Sequence, residues 1–243
     1  MLIPFGVVAQ SAGYFLIALA SGGTFFIALI FLYKSMQATD ISVASTMSGV
    51  ATAAFSYFFA VSLLGESSGV FSSAAIAMLI AGILLIGQTD KNIWSLAISA
   101  GFFFGISFVF LKIVFNLSDF VNGLFWTRIG FVGAAFMSLI SGSFRNDVLR
   151  SFRGAHIQIR SIFIGTRILA AIGSLLIYYS IRLGEVSVIN SLLGFQFLFV
   201  FIFALLFRRR IPRIEEHIDR RRIIQKIVGI GFVIAGFWAV TTL

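Results

Sequence analysis

Long apolar runs broken by short charged or polar stretches organise this chain. The runs cover residues 11–33, 41–64, 70–87, 93–115, 121–140, 161–181, 186–207 and 223–240. Each is close to the roughly 20 residues that an α-helix needs to cross a bilayer. They are continuously apolar and lack the period-two alternation of a membrane barrel strand. The pattern predicts an all-α membrane protein with about eight transmembrane helices. Residues 1–10 are apolar but too short to span alone, and they lack the charged start and cleavage pattern of a signal peptide.

Composition agrees with the bilayer as solvent. Hydrophobic residues make up 59% of the 243, phenylalanine alone occurs 30 times, and mean hydropathy is +1.05. Charged residues reach only 11%, against about 25% in soluble domains. Cysteine is absent, which excludes disulfides, thiolate metal sites and cysteine nucleophiles. His156 and His217 lie in different loops, and there is no P-loop. The chain is therefore not expected to be an enzyme, to bind a metal or to carry a cofactor.

The net charge of +9 would suggest a nucleic-acid partner in a soluble protein. Its placement argues otherwise. One basic loop holds Arg145, Arg150, Arg153 and Arg160, and a second holds Arg208, Arg209, Arg210, Arg213, Arg220, Arg221 and Arg222. Two spans separate these loops, so they share one side of the membrane, where the excess of basic residues predicts the cytoplasm. Both termini are then expected outside a cytoplasmic (inner) membrane. Residues 208–222 also suit anionic lipid headgroups.

An internal repeat is visible. Residues 33–58 align with 178–203 at one constant offset, pairing Tyr33 with Tyr178, Asp40-Ile41-Ser42-Val43 with Glu185-Val186-Ser187-Val188, Gly49 with Gly194, and Phe58 with Phe203. The second and seventh runs are five apart, so the two copies cross in opposite directions. Inverted repeats are a hallmark of alternating-access transporters, whose site lies near the midplane between the copies.

A helix closing on Tyr, a short turn, Ser-Val-Ala-Ser, and a second helix closing on Leu-Leu-Gly-Glu resembles the EamA-like branch of the drug/metabolite transporter superfamily. The lines that carry the resemblance are residues 33–66 and 178–212. It implies an inverted-repeat helical bundle that moves a small metabolite or drug. Residues 1–89 would form a partial N-terminal repeat of three helices, and 90–243 a C-terminal repeat of five. It also implies that about two helices of the family's ten are missing at the start. The central cavity would be lined by the first, second, sixth and seventh runs. The family's proline in two helices is replaced here by Gly49 and Gly194, and its acidic end of the penultimate helix by Arg208–Arg210.

Polar groups inside a bilayer are candidates for function. All nine carboxylates fall in breaks or at run ends, while Lys112, Arg128 and Arg167 are embedded. Arg167 either grips an anionic or zwitterionic substrate or snorkels to the basic interface. Arg128 follows Trp126-Thr127, and snorkelling is its simpler role; Lys112 reads as an interfacial anchor. Ser45, Ser48, Gly49 and Thr52 form a small polar stripe on one helix face, matched by Asn190 and Gly194. The stripes suit a substrate cavity or a close-packed helix interface. Tyr178 belongs to the cavity or to the interfacial aromatic belt.

These features lead to the expectation of a secondary transporter or exporter of a small metabolite or drug, working by alternating access. The substrate-binding candidates are Ser45, Ser48, Gly49, Thr52, Arg167, Tyr178, Asn190 and Gly194. The alternative is a truncated or non-transporting membrane subunit. The partners are a small-molecule substrate and the lipid bilayer, with a homo-oligomer compatible and nucleic acid not expected.

Overall fold

The computed structural model of the chain describes residues 11–39, 41–66, 91–142, 144–146 and 157–192, with isolated positions at 74, 78, 81, 150, 199, 203, 228, 229, 231, 232 and 235. Most of the expected third, seventh and eighth spans, Gly194 and the 208–222 segment expected to meet lipid headgroups lie outside the described residues.

All regular structure among the described residues is helical. Helix α1 is Ala12–Ala38, α2 is Ile41–Phe59, α3 is Lys91–Leu117, α4 is Phe120–Ser138, α5 is Ile157–Leu183 and α6 is Val186–Leu192. Among the described residues, five helices are long and apolar enough to cross a membrane, namely α1, α2 with its extension, α3, α4 and α5. This is a multi-pass membrane protein. The 27-residue helices α1, α3 and α5 are each about 40 Å long, more than the ~30 Å hydrocarbon core. Helix α1 runs about a turn beyond its expected end at Tyr33, and Lys34 in that extra turn is exposed.

The helix starts have identifiable causes. Ser11 accepts a hydrogen bond from the Tyr14 N–H and caps α1. The Asp119 carboxylate accepts from the Val121 and Asn122 N–H groups and caps α4. It also accepts from the Asn122 side-chain amide. That side-chain bond first, and the backbone bonds next, hold the Asp119 carboxyl below the usual carboxylate range. Helix α2 widens into one π-turn over Ala60–Leu64 and stops at Gly65, whose φ of 68° is left-handed. Glycine takes that conformation without a Cβ clash, and it turns the chain so that Glu66 points back into the bundle.

Helix α1 packs chiefly on α3 and α4, and α2 chiefly on α3. The closest approaches pass through glycine. A Cβ on Gly22 would sit 2.1 Å from the Thr127 carbonyl oxygen, and one on Gly130 would sit 2.7 Å from Leu19 backbone atoms. These two glycines let α1 and α4 run backbone to backbone. Gly101 and Gly105 do the same for α3 against Ala51, Thr52, Phe55 and Ser56 of α2. Without a hydrophobic driving force between helices in lipid, such close packing supplies much of the association energy. Phenylalanine fills the wider gaps. Phe25 of α1 meets Phe104, Phe108 and Phe131 edge-on, with centroids 5.2, 6.1 and 5.9 Å apart. The Ser21 and Ser107 hydroxyls each donate to the other residue's carbonyl, at 3.0 and 2.8 Å, tying α1 to α3 at mid-depth.

Candidate functional site

Four helices converge on a narrow cleft with about 10 Å³ of free space, room for roughly one water. Its walls include Ser21 and Phe25 of α1, Ser107 and Phe108 of α3, Thr127, Arg128 and Phe131 of α4, and Tyr178 of α5. At 1.5 Å per residue, Arg128 lies about 12 Å along α4 from Phe120, and Ser107 about 15 Å along α3 from Leu117. Those depths put the cleft near the middle of a ~30 Å hydrocarbon layer.

The lining has two chemical parts. Phe25, Phe108, Phe131 and the Tyr178 ring form apolar walls. Arg128 supplies a positive charge. Its guanidinium donates to Ser174 Oγ at 3.2 Å and lies 4.9 Å from the Tyr178 ring centroid, a cation–π distance. The expected interfacial role of Arg128 is thus replaced by an inward one: the side chain turns across to α5 and lines the cleft. The serine and threonine hydroxyl protons in the cleft are already committed. Ser21 and Ser107 give theirs to each other's carbonyls, and Thr127 donates to the Gly123 and Leu124 carbonyls. The described carboxylates Glu66, Asp119 and Glu185 all fall in turns at one end of the bundle.

No family model matches this chain, and no curated protein matches it. The chemistry available to the site is then that of its own lining: one half-buried cation, aromatic walls, and serine and threonine oxygens that can accept but have spent their protons.

The substrate-binding candidates distribute unevenly around this cleft. Tyr178, 6% exposed, lines it. Ser45, Ser48 and Thr52 are buried on α2, and Gly49 is half-buried beside them. Ser45 and Thr52 donate to the Ile41 and Ser48 carbonyls of their own helix. Thr52 backbone also abuts Gly101 of α3, so this part of the stripe serves the close-packed interface. Asn190 is buried at 2% exposure, and neither amide atom has a hydrogen-bond partner among the described residues. Arg167 is exposed; it donates to the Tyr33 hydroxyl at 3.3 Å and lies over the Phe163 ring. The structure does not bring it to the cleft.

At the Glu66 end, two charged side chains hold the break between α5 and α6. Lys112 Nζ donates to the carbonyls of Ile181, Arg182 and Gly184 at 2.9, 3.1 and 2.8 Å, covering the end of α5. The Glu66 carboxylate accepts from the Val186 N–H at 2.8 Å, the Ser187 N–H at 3.2 Å and the Ser187 hydroxyl at 2.6 Å, covering the start of α6. Each charge opposes the dipole of the helix end it meets. Lys112 is thus an internal cap rather than a simple lipid-interface anchor.

Proposed function

We propose that this protein is a secondary transporter of a small solute, and that the Arg128–Tyr178 cleft is its substrate site. The observation that carries the proposal is a charged, hydrogen-bonding side chain at mid-membrane depth in a cleft shared by four spans. Intramembrane cations face pathways, cavities or partners, because exposure to hydrocarbon is costly. Transporter sites near the midplane, between bundle halves, have this character.

Two features support the EamA-like, inverted-repeat frame of the proposal. The C-terminal end of α2 meets the N-terminal end of α6 through Glu66 and Val186, as opposite crossing directions for the aligned segments require. Among the described residues, Lys34 and Arg145 lie at the end opposite Glu66, Asp119 and Glu185, as an inner membrane with the basic side in the cytoplasm requires. Tyr178 belongs both to the aligned segments and to the cleft, so the repeat and the site share one residue.

The test is solute exchange in proteoliposomes carrying the full chain, with labelled organic acids, amines, sugars and neutral aromatics. Exchange above protein-free vesicles is expected for at least one class. Arg128→Gln and Tyr178→Leu should each lower it roughly tenfold or more, a loss of transition-state or binding contacts. Arg167→Leu should leave it within about twofold. Folded protein that exchanges none of these classes would refute transport and favour the non-transporting subunit. Exchange that survives both cleft variants but falls with Asn190→Leu would move the site to α6.

A further inference from the structure

We propose that the gap between the basic end of α1 and α5 binds an anionic phospholipid, with Arg167 taking the phosphate and the exposed surface of α5 taking an acyl chain. The site lies outside the cleft and owes nothing to the transport reading.

Charge comes first. The Arg167 guanidinium donates to the Tyr33 hydroxyl at 3.3 Å and lies 4.7 Å from the centroid of the Phe163 ring. These contacts position it, but both partners are neutral and leave its charge unmatched. Of its five N–H donors, Tyr33 takes one among the described contacts. Lys34 follows Tyr33 in sequence and is exposed. The described carboxylates Glu66, Asp119 and Glu185 all lie at the opposite end of the bundle. An anion is the missing partner, and the planar fork suits a phosphate through paired hydrogen bonds.

The surroundings narrow which anion. Residues 161–172 of α5 are all exposed, and Phe163, Ile164, Ile168, Leu169 and Ile172 are each more than half exposed. On a spanning helix that surface meets hydrocarbon, where a cation is costly unless an anion reaches it. A phospholipid supplies both halves, an anionic head for Arg167 and a tail for the apolar side chains; a soluble anion gains nothing from the latter. Depth agrees. Arg167 lies about 10 Å nearer the basic end of α5 than Ser174, the partner of Arg128. Helical side chains lean toward the N-terminus, which in α5 is the basic end, so the guanidinium is carried toward the headgroups. The excess of basic residues assigns that end to the cytoplasmic leaflet, where anionic lipids lie and where basic pockets between spans take their headgroups.

The chain has no cysteine, so Ile168→Cys gives it a single thiol for a fluorophore beside Arg167. The full chain in phosphatidylcholine nanodiscs is titrated with phosphatidylglycerol or phosphatidylcholine carrying brominated acyl chains, and quenching is read. Half-quenching should need a mole fraction about fivefold lower for phosphatidylglycerol, the preference that one cation near the surface gives. Arg167→Gln should bring the two lipids within about twofold. Arg167→Lys, which keeps the charge without the fork, should retain part of the preference. Arg145→Gln, which removes another exposed cation, should leave it intact, as should an excess of inorganic phosphate. Equal quenching by the two lipids would overturn the headgroup assignment with no variant needed. A preference that survives Arg167→Gln would belong to other basic segments and overturn the role of Arg167. Loss of the preference in inorganic phosphate would mark a free-anion site and overturn the lipid. No quenching by either lipid would mean that protein, a second copy included, covers this surface, and would overturn the site.

Discussion

Gly22 offers a sharp test of how the bundle holds together. Its missing Cβ would fall 2.1 Å from the Thr127 carbonyl oxygen and 2.3 Å from the Phe131 nitrogen, while ordinary contact begins near 3.4 Å. Both neighbours are backbone, so no side-chain rotation relieves the clash. In Gly22→Ala, α1 and α4 must separate by about 1 Å, an overpacking strain of roughly 1–3 kcal/mol. Gly23, the next residue, has nothing within 4 Å of its Cβ position. Gly23→Ala therefore makes the same change in helix propensity, about 0.5–1 kcal/mol in favour of alanine, without the clash. The difference between the two variants isolates the packing. At about 2–4 °C per kcal/mol for a chain of this size, Gly22→Ala should melt roughly 2–12 °C below Gly23→Ala in the same detergent and scan rate. Gly22 also lines the cleft, so the same variant should weaken any ligand-induced shift. Equal melting temperatures, or a higher one for Gly22→Ala, would refute the direct α1–α4 backbone contact.

Other perturbations test the caps. Glu66→Gln keeps the shape but removes the charge on the Val186 and Ser187 donors; a loss of about 1–2 kcal/mol is expected, read as a lower melting temperature and faster amide exchange at those two positions. Lys112→Met leaves the Ile181, Arg182 and Gly184 carbonyls without their donor and should cost roughly 1–3 kcal/mol, with Lys112→Arg recovering part of it. Asp119→Ala should cost about 1 kcal/mol through loss of the α4 cap. The Asp119 pKa is depressed in the fold, so the carboxylate's contribution is complete above its unfolded value near 3.9. It fades as pH falls through the folded value. Melts at neutral pH should separate wild type from Asp119→Ala, and the gap should narrow as the pH is taken progressively below the unfolded value.

Apolar run length made the helices legible. The runs at 93–115 and 121–140 correspond to α3 and α4, with the Asp119 cap between them, because hydrocarbon thickness and one short capped turn leave few alternatives. What escaped was where polar groups point. Arg128 follows a tryptophan, a local sign of the interface, yet eight residues of α4 precede it and its partners Ser174 and Tyr178 come from α5, about 50 positions onward. No local pattern states that pairing. Arg167 looked equally embedded, and only the packing of α5 leaves it exposed. The α2 stripe showed small polar residues on one face without saying what they face; Gly101 and Gly105 of α3 answer part of that. Their four-residue spacing was a readable sign of close helix packing. Lys112 could not be distinguished from an anchor, because its acceptors are carbonyls exposed only where α5 ends.

The break at Gly184–Glu185 has a mechanical consequence. Lys112 belongs to α3 and Glu66 follows α2, and those two helices are joined backbone to backbone at Gly101 and Gly105. Both jaws that grip the break are therefore parts of one stiff body. Prising this end apart would break five hydrogen bonds at once, baring three carbonyls and two N–H groups. The opposite end, where Lys34 and Arg145 reach solvent, carries no such clasp among the described residues. The bundle is built like a clothes-peg, with its spring at the acidic end and its free tips at the basic end.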